Sequence, residues 1–143
     1  AFGARAFPRP AADFEEAALA LRSFDRVCMG GTHPGHTTDA VGAMLAERVH
    51  AERLVIVTNV DGVYTSDPNK DPDAERVEQL TPDELLKIVG GARQAGSSGV
   101  VDPLAAQLLG RSHLPAAVVG GSDALNVARA INGEDFVGTR VEE

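Results

Sequence analysis

A single cysteine, Cys28, excludes any intrachain disulfide framework, so stability must come from a packed core. Cys28 stands in a short apolar run and is expected to be a buried thiol, which suits a reducing cytoplasm. Basic residues are the minority, 13 against 21 acidic, and the formal charge of -8 argues against a duplex nucleic acid or an anionic membrane as partner. Only Lys70 and Lys87 are lysines; a salt-rich cytoplasm and a GC-rich genome account equally well for that choice. No apolar stretch approaches the roughly 20 residues of a membrane span, and the N-terminus lacks a secretory apolar region. A soluble, cytoplasmic protein is expected. Internal repeats, heptads and low-complexity tracts are also lacking.

What is present fits one α/β core. At 143 residues and 43% hydrophobic content, residues 1–143 are expected to form a single domain. Asp13 and Glu16 form a capping-box pair ahead of a helix over 14–24, and a strand-like run follows at 26–29. Ala40, Val41, Met44, Leu45 and Val49 recur at helical spacing, predicting a helix over 38–51. The continuous apolar run 54–58 reads as a strand buried on both faces. Thr81, Pro82 and Glu84 start a helix that Gly90-Gly91 stops, and Asp102-Pro103 starts another that runs to Arg111. A strand at 116–119, a helix capped by Ser122 and ending near Asn132-Gly133, and a short strand within 136–141 complete a largely parallel, helix-covered sheet.

In such sheets ligands gather beyond the carboxyl ends of strands, which directs attention to residues 30–38 and 59–73. In the first loop, Gly30, Gly31 and Gly35 permit sharp turns and close backbone approach, while Thr37 and Thr38 offer hydroxyls and unpaired N–H groups where a helix begins. An anion fits that turn; an ordinary connection capped by threonine has the same pattern. The loop lacks the spacing and lysine of a Walker A motif and is no dinucleotide fingerprint. His33 and His36, separated by Pro34-Gly35, lack the helical spacing and glutamate of a zincin, so hydrogen bonding within the loop is favoured over a metal. His50 and His113 read as surface or interface residues.

The second loop places Asp67, Asn69, Asp71, Asp73, Glu75 and Glu78 at the acidic positions of an EF-hand register. Pro72 stands where that register needs glycine, and a strand rather than a helix precedes Asp67. A solvated acidic loop is the expectation, with no metal assigned. Tyr64, the chain's only tyrosine, follows Asn59 and Asp61-Gly62 turn chemistry; it reads either as a nucleoside contact or as a packing residue under the loop.

The ordered motifs Gly30-Gly31-Thr32-His33-Pro34-Gly35-His36-Thr37-Thr38-Asp39-Ala40 and Thr58-Asn59-Val60-Asp61-Gly62-Val63-Tyr64-Thr65-Ser66-Asp67-Pro68 closely resemble the archaeal-type uridylate kinases of the amino acid kinase family. Ala95-Gly96-Ser97-Ser98-Gly99-Val100-Val101-Asp102-Pro103 and Gly138-Thr139 extend the resemblance over nearly the whole chain. It implies an α/β/α sandwich and phosphoryl transfer from ATP to UMP, with Mg2+ carried on the nucleotide. By similarity, Thr32, His33, Pro34, Gly35, His36, Thr37 and Thr38 would bind UMP, and Thr58, Asn59, Tyr64 and Asp67 would bind ATP. Asp39 would be the catalytic acidic residue that orients lysines rather than a general base. A homo-oligomer is implied as well. Family members also carry an N-terminal half with a glycine-rich phosphate loop, absent from residues 1–143, so the chain resembles the carboxyl-terminal, nucleotide-binding portion. Weak or no kinase activity is expected of these residues alone, with an apolar sheet edge left for another chain to cover. The alternatives are a non-catalytic nucleotide-binding module, a structural fragment, or a related kinase with another acceptor.

Overall fold

The computed structural model describes residues 3–32, 34–68, 70–91 and 100–143. His33, Asn69 and most of the 95–103 motif, residues 95–99, lie outside them. Among the described residues, nine elements follow in chain order: α1 Phe14–Ala20, α2 Thr38–Arg48, β1 Leu54–Thr58, β2 Gln79–Leu80, α3 Pro82–Gly91, α4 Pro103–Ser112, β3 Ala116–Gly120, α5 Ala124–Asn132 and β4 Thr139–Val141. The four strands form one sheet in the order β1-β3-β4-β2. β1 pairs with β3 and β2 with β4 in parallel, while β3 and β4 are antiparallel.

Alternation along the strands divides the core between two faces. Ile56, Ala116 and Val118 join Ala43 and Ala46 of α2, Leu85 and Val89 of α3, and Leu109 of α4 on one face. Ala117 and Val119 pack on the other against Ala130 of α5, with Val55, Val127 and Phe136 beside them. The helices thus cover both faces, as the α/β/α expectation required. Alanine at positions 43, 46, 105 and 106 lets α2 and α4 approach each other closely, and α2 approach β1.

Caps fix where the helices begin. Glu84 N–H donates to Thr81 Oγ1 at 3.3 Å and Thr81 N–H to Glu84 Oε2 at 2.9 Å, a reciprocal box. Asp102 Oδ1 accepts from the amides of Leu104 and Ala105, and Pro103 occupies the first helical position, where no N–H is needed. At α5 the cap is Asp123 rather than Ser122: its carboxylate accepts from Leu125 and Asn126, and its charge suits the positive end of the helix.

Several expectations are corrected. The first helix stops at Ala20, and residues 21–23 continue as turns closed by Arg22 and Ser23 amides on Leu19 and Ala20 carbonyls. The second stops at Arg48, ahead of His50 in a left-handed conformation at φ 52°. Residues 26–29 form only two isolated parallel bridges, Ala6 to Arg26 and Ala11 to Met29. Pro8 and Pro10 lie between those bridges and have no N–H to extend a ladder. Cys28 in this segment is exposed, not buried. β1 is not buried on both faces: Val57 is 51% exposed, because β1 forms a sheet edge and the α5-side cluster takes in Val55. The last strand begins only at Thr139, because the Asn126 side chain takes both backbone groups of Val137, at 2.8 Å and 2.7 Å.

Candidate functional site

Topology assembles the site before any side chain does. α2 and α4 each lead through a short turn into one of the parallel strands β1 and β3. Their N-termini therefore lie at the sheet edge where those strands end, which is also where α5 begins. The Gly121 amide donates to the Thr58 carbonyl at 2.8 Å, joining the loops that leave the two strands. These helix starts thus face the crevice where such sheets bind ligands, the first amides of α4 and α5 being taken by Asp102 and Asp123.

Residues 34–37 lead directly into α2 at this end of the sheet. Gly35 takes φ 92°, a left-handed conformation that side chains resist, and lets the chain turn into α2. Thr37 caps α2 by accepting from the Ala40 amide at 3.2 Å, and Thr38 is the first helical residue. Pro34, Gly35, His36, Thr37 and Thr38 are exposed, whereas Thr32 is half-buried. The Thr32 hydroxyl is buried without a hydrogen-bond partner, an unmet polar group of the kind a ligand satisfies.

Asp39 sits half-buried in the first turn of α2 and accepts from the Asp102 amide at 3.2 Å. Burial pushes its carboxyl above the ordinary range; the Asp102 amide opposes the rise and the Asp102 charge adds to it. Two acidic residues at adjacent helix starts thus face one edge, and a cationic partner or a metal-carrying ligand would relieve their repulsion. Lys70 instead pairs with Asp67 at 3.4 Å, and Lys87 is exposed on α3.

The loop after β1 carries the other candidates. Thr58 closes the strand, its hydroxyl donating to Asn59 Oδ1 at 3.3 Å. Tyr64 donates its hydroxyl to Asp61 Oδ1 at 2.8 Å, and Arg76 donates to Asp61 Oδ2 at 3.0 Å. The Tyr64 hydroxyl first, then the residue's own backbone amide and the Arg76 guanidinium, hold the Asp61 carboxyl below its usual range against the opposing effect of burial. That same bond raises Tyr64. An antiparallel bridge from Tyr64 to Arg76 returns the chain toward β2. Thr139 ties this loop to the sheet: fully buried, it accepts from the Val63 amide at 2.8 Å and donates to the Val77 carbonyl at 2.6 Å. Gly62 must lack a side chain here, since a Cβ would come within 2.8 Å of Thr139 Oγ1.

The structure therefore unites Asp39 with Asp102 and Tyr64 with Asp61, and anchors the two loops separately, one on α4 and the other on β4. Asp61, Arg76 and Thr139 were not predicted as site residues. Asp61 stood within the 58–68 motif and Thr139 within Gly138-Thr139, but neither motif gave these contacts, and Arg76 had no signal. The acidic loop satisfies its own donors, Asp71 accepting from Ser66 at 2.6 Å and from the Asp73 amide at 3.0 Å. A groove of about 300 Å³ lined by Arg76, Glu78, Asp135, Phe136, Val137 and Arg140 includes no residue predicted as a ligand contact. Its arginines are already paired, Arg76 with Asp61 and Arg140 with Asp135, so topology and motifs locate the candidate site better than this cavity does.

Known proteins resemble this chain in sequence and in fold. The sequence model of the amino acid kinase family matches residues 21–120. A uridylate kinase of Pyrococcus abyssi is 49% identical over 139 residues, covering 96% of this chain and 61% of that protein. One from Methanocella arvoryzae is 45% identical, covering all of this chain and 64% of that protein. The crystal structure of uridylate kinase from Archaeoglobus fulgidus superimposes with a TM-score of 0.84 at 39% identity, over 96% of this chain and 61% of that one. The chain thus spans less than two thirds of the length of these relatives.

Proposed function

The chain belongs to the amino acid kinase family, and on that premise we propose that it is the nucleotide-binding part of a UMP kinase, which transfers the ATP γ-phosphoryl group to UMP in pyrimidine nucleotide biosynthesis. The support for the assignment is topological: α2 starts at the carboxyl ends of the parallel strands β1 and β3, and the Thr58–Asp67 loop leaves that same end of β1. The turn and the start of α2 hold UMP, with the Thr32 hydroxyl and the free helix amides as donors to its phosphate. Thr58, Asn59, Tyr64 and Asp67 hold ATP. Asp39 orients a cationic group rather than acting as general base, consistent with a reaction that depends on positioning and charge neutralisation. Mg2+ arriving with ATP would neutralise the phosphates. The protein works in the cytoplasm as a homo-oligomer, which would cover apolar surface such as Leu19, 60% exposed, and Leu21, 40% exposed. No helix among the described residues is long and apolar enough to cross a membrane.

The assay is ADP release from ATP and Mg2+ with UMP, CMP, acetylglutamate or aspartate offered separately. UMP-dependent release is expected to be weak or absent for residues 1–143 on their own, which span less than two thirds of the relatives, and strong for a protein of the relatives' full length. Turnover with another acceptor and none with UMP would assign a different kinase of the family. Binding of both nucleotides without turnover favours a non-catalytic module, the second reading that the partial coverage of the relatives supports.

A further inference from the structure

The Tyr64 hydroxyl is already committed within the fold. It donates to Asp61, whose other oxygen receives Arg76. Asp61 is itself fixed: its loop crosses the end of β3, where a Cβ on Gly120 would lie 3.4 Å from Asp61 Cα. Arg76 is held by its backbone bridge to Tyr64 and by the neighbouring Val77 carbonyl, which Thr139 engages. From these contacts we infer that Asp61 and Arg76 are positioning residues that lock the Tyr64 ring as a platform for the nucleotide base, the ring and not the hydroxyl proton making the contact. This inference rests on the assignment of Tyr64 to the ATP site and adds the device that orients it.

Two physical considerations support a rigid platform. Aromatic surfaces reward a base only where the ring face is presented in a fixed direction, and an unrestrained tyrosine must lose rotamer freedom on binding. A hydrogen bond to a carboxylate that is already ion-paired removes that freedom beforehand. Tyr64 is only partly buried, so without the bond little packing would hold the ring.

Calorimetric titration of the 143-residue chain with MgATP, and separately with UMP, tests this. Asp61→Ala and Tyr64→Phe should each weaken ATP binding by roughly three- to ten-fold, the equivalent of one hydrogen bond. The double variant should be no weaker than either single one, because both break the same bond. Asp61→Asn keeps an acceptor for the tyrosine and should recover most of the affinity. UMP affinity should stay constant throughout, which a general loss of structure would not allow. Unchanged ATP affinity in Asp61→Ala, with a loss in Tyr64→Phe, would mean the hydroxyl serves the ligand directly and would overturn the inference alone. Unchanged affinity in Tyr64→Ala, or no ATP binding by the unaltered chain, would overturn the assignment of Tyr64 and the inference with it.

Discussion

Leu109→Ala is expected to destabilise the fold by about 2–5 kcal/mol, the range for truncating a large, fully buried aliphatic side chain. Leu109 has no exposed surface and lies where α4 meets the sheet and its helical neighbours. Removing its branched end opens a cavity among side chains such as Ile56, Leu85 and Val118, whose β-branched or already close-packed neighbours cannot easily collapse into it. Chemical denaturation at constant pH measures the effect. Leu125→Ala on α5 is the matched control: the residue is 73% exposed, and its truncation should change stability by no more than about 0.5 kcal/mol. A loss at position 125 equal to that at 109 would mean that α5's outward face is covered in solution.

Thr139→Val is the second large effect, and it reaches the proposed site. Valine matches the shape of threonine but strands the Val63 amide and the Val77 carbonyl, both of which depend on the Thr139 hydroxyl. At about 1–3 kcal/mol for each orphaned buried group, the expected loss is about 2–6 kcal/mol. Thr139→Ser retains the hydroxyl and should recover most of it. Val63 and Val77 flank Tyr64 and Arg76, so faster amide exchange at residues 63–65 should accompany the loss of stability. Wild-type exchange there in Thr139→Val would contradict the anchoring role.

How far these features could be foreseen follows from the range of the interactions that make them. β1 was legible residue for residue, because Leu54–Thr58 is an unbroken apolar run rich in β-branched side chains. The starts of α3 and α4 were legible as well, since Thr81 with Glu84 and Asp102 with Pro103 settle them within one turn. β2 was not: its two residues have no strand signal of their own and exist through pairing with Arg140 and Val141. The exposure of Cys28 and Val57 was also hidden, because an apolar residue does not reveal whether anything covers its segment. At the site, motifs located the turn before α2 and the loop after β1. They could not reveal that Arg76 returns to Asp61, or that Thr139 reaches Val63 across 76 positions, because those contacts exist only once the sheet has formed.

The central claim is that two loops at one sheet edge receive different nucleotides. Backbone amide NMR of the chain, titrated with UMP and then with MgATP, addresses it residue by residue. The account predicts that UMP shifts the amides of Thr32, Thr37 and Thr38, and that MgATP shifts those of Thr58, Asn59, Tyr64 and Asp67. Perturbations confined to the groove around Phe136 and Arg140, or no response to either nucleotide, would contradict it.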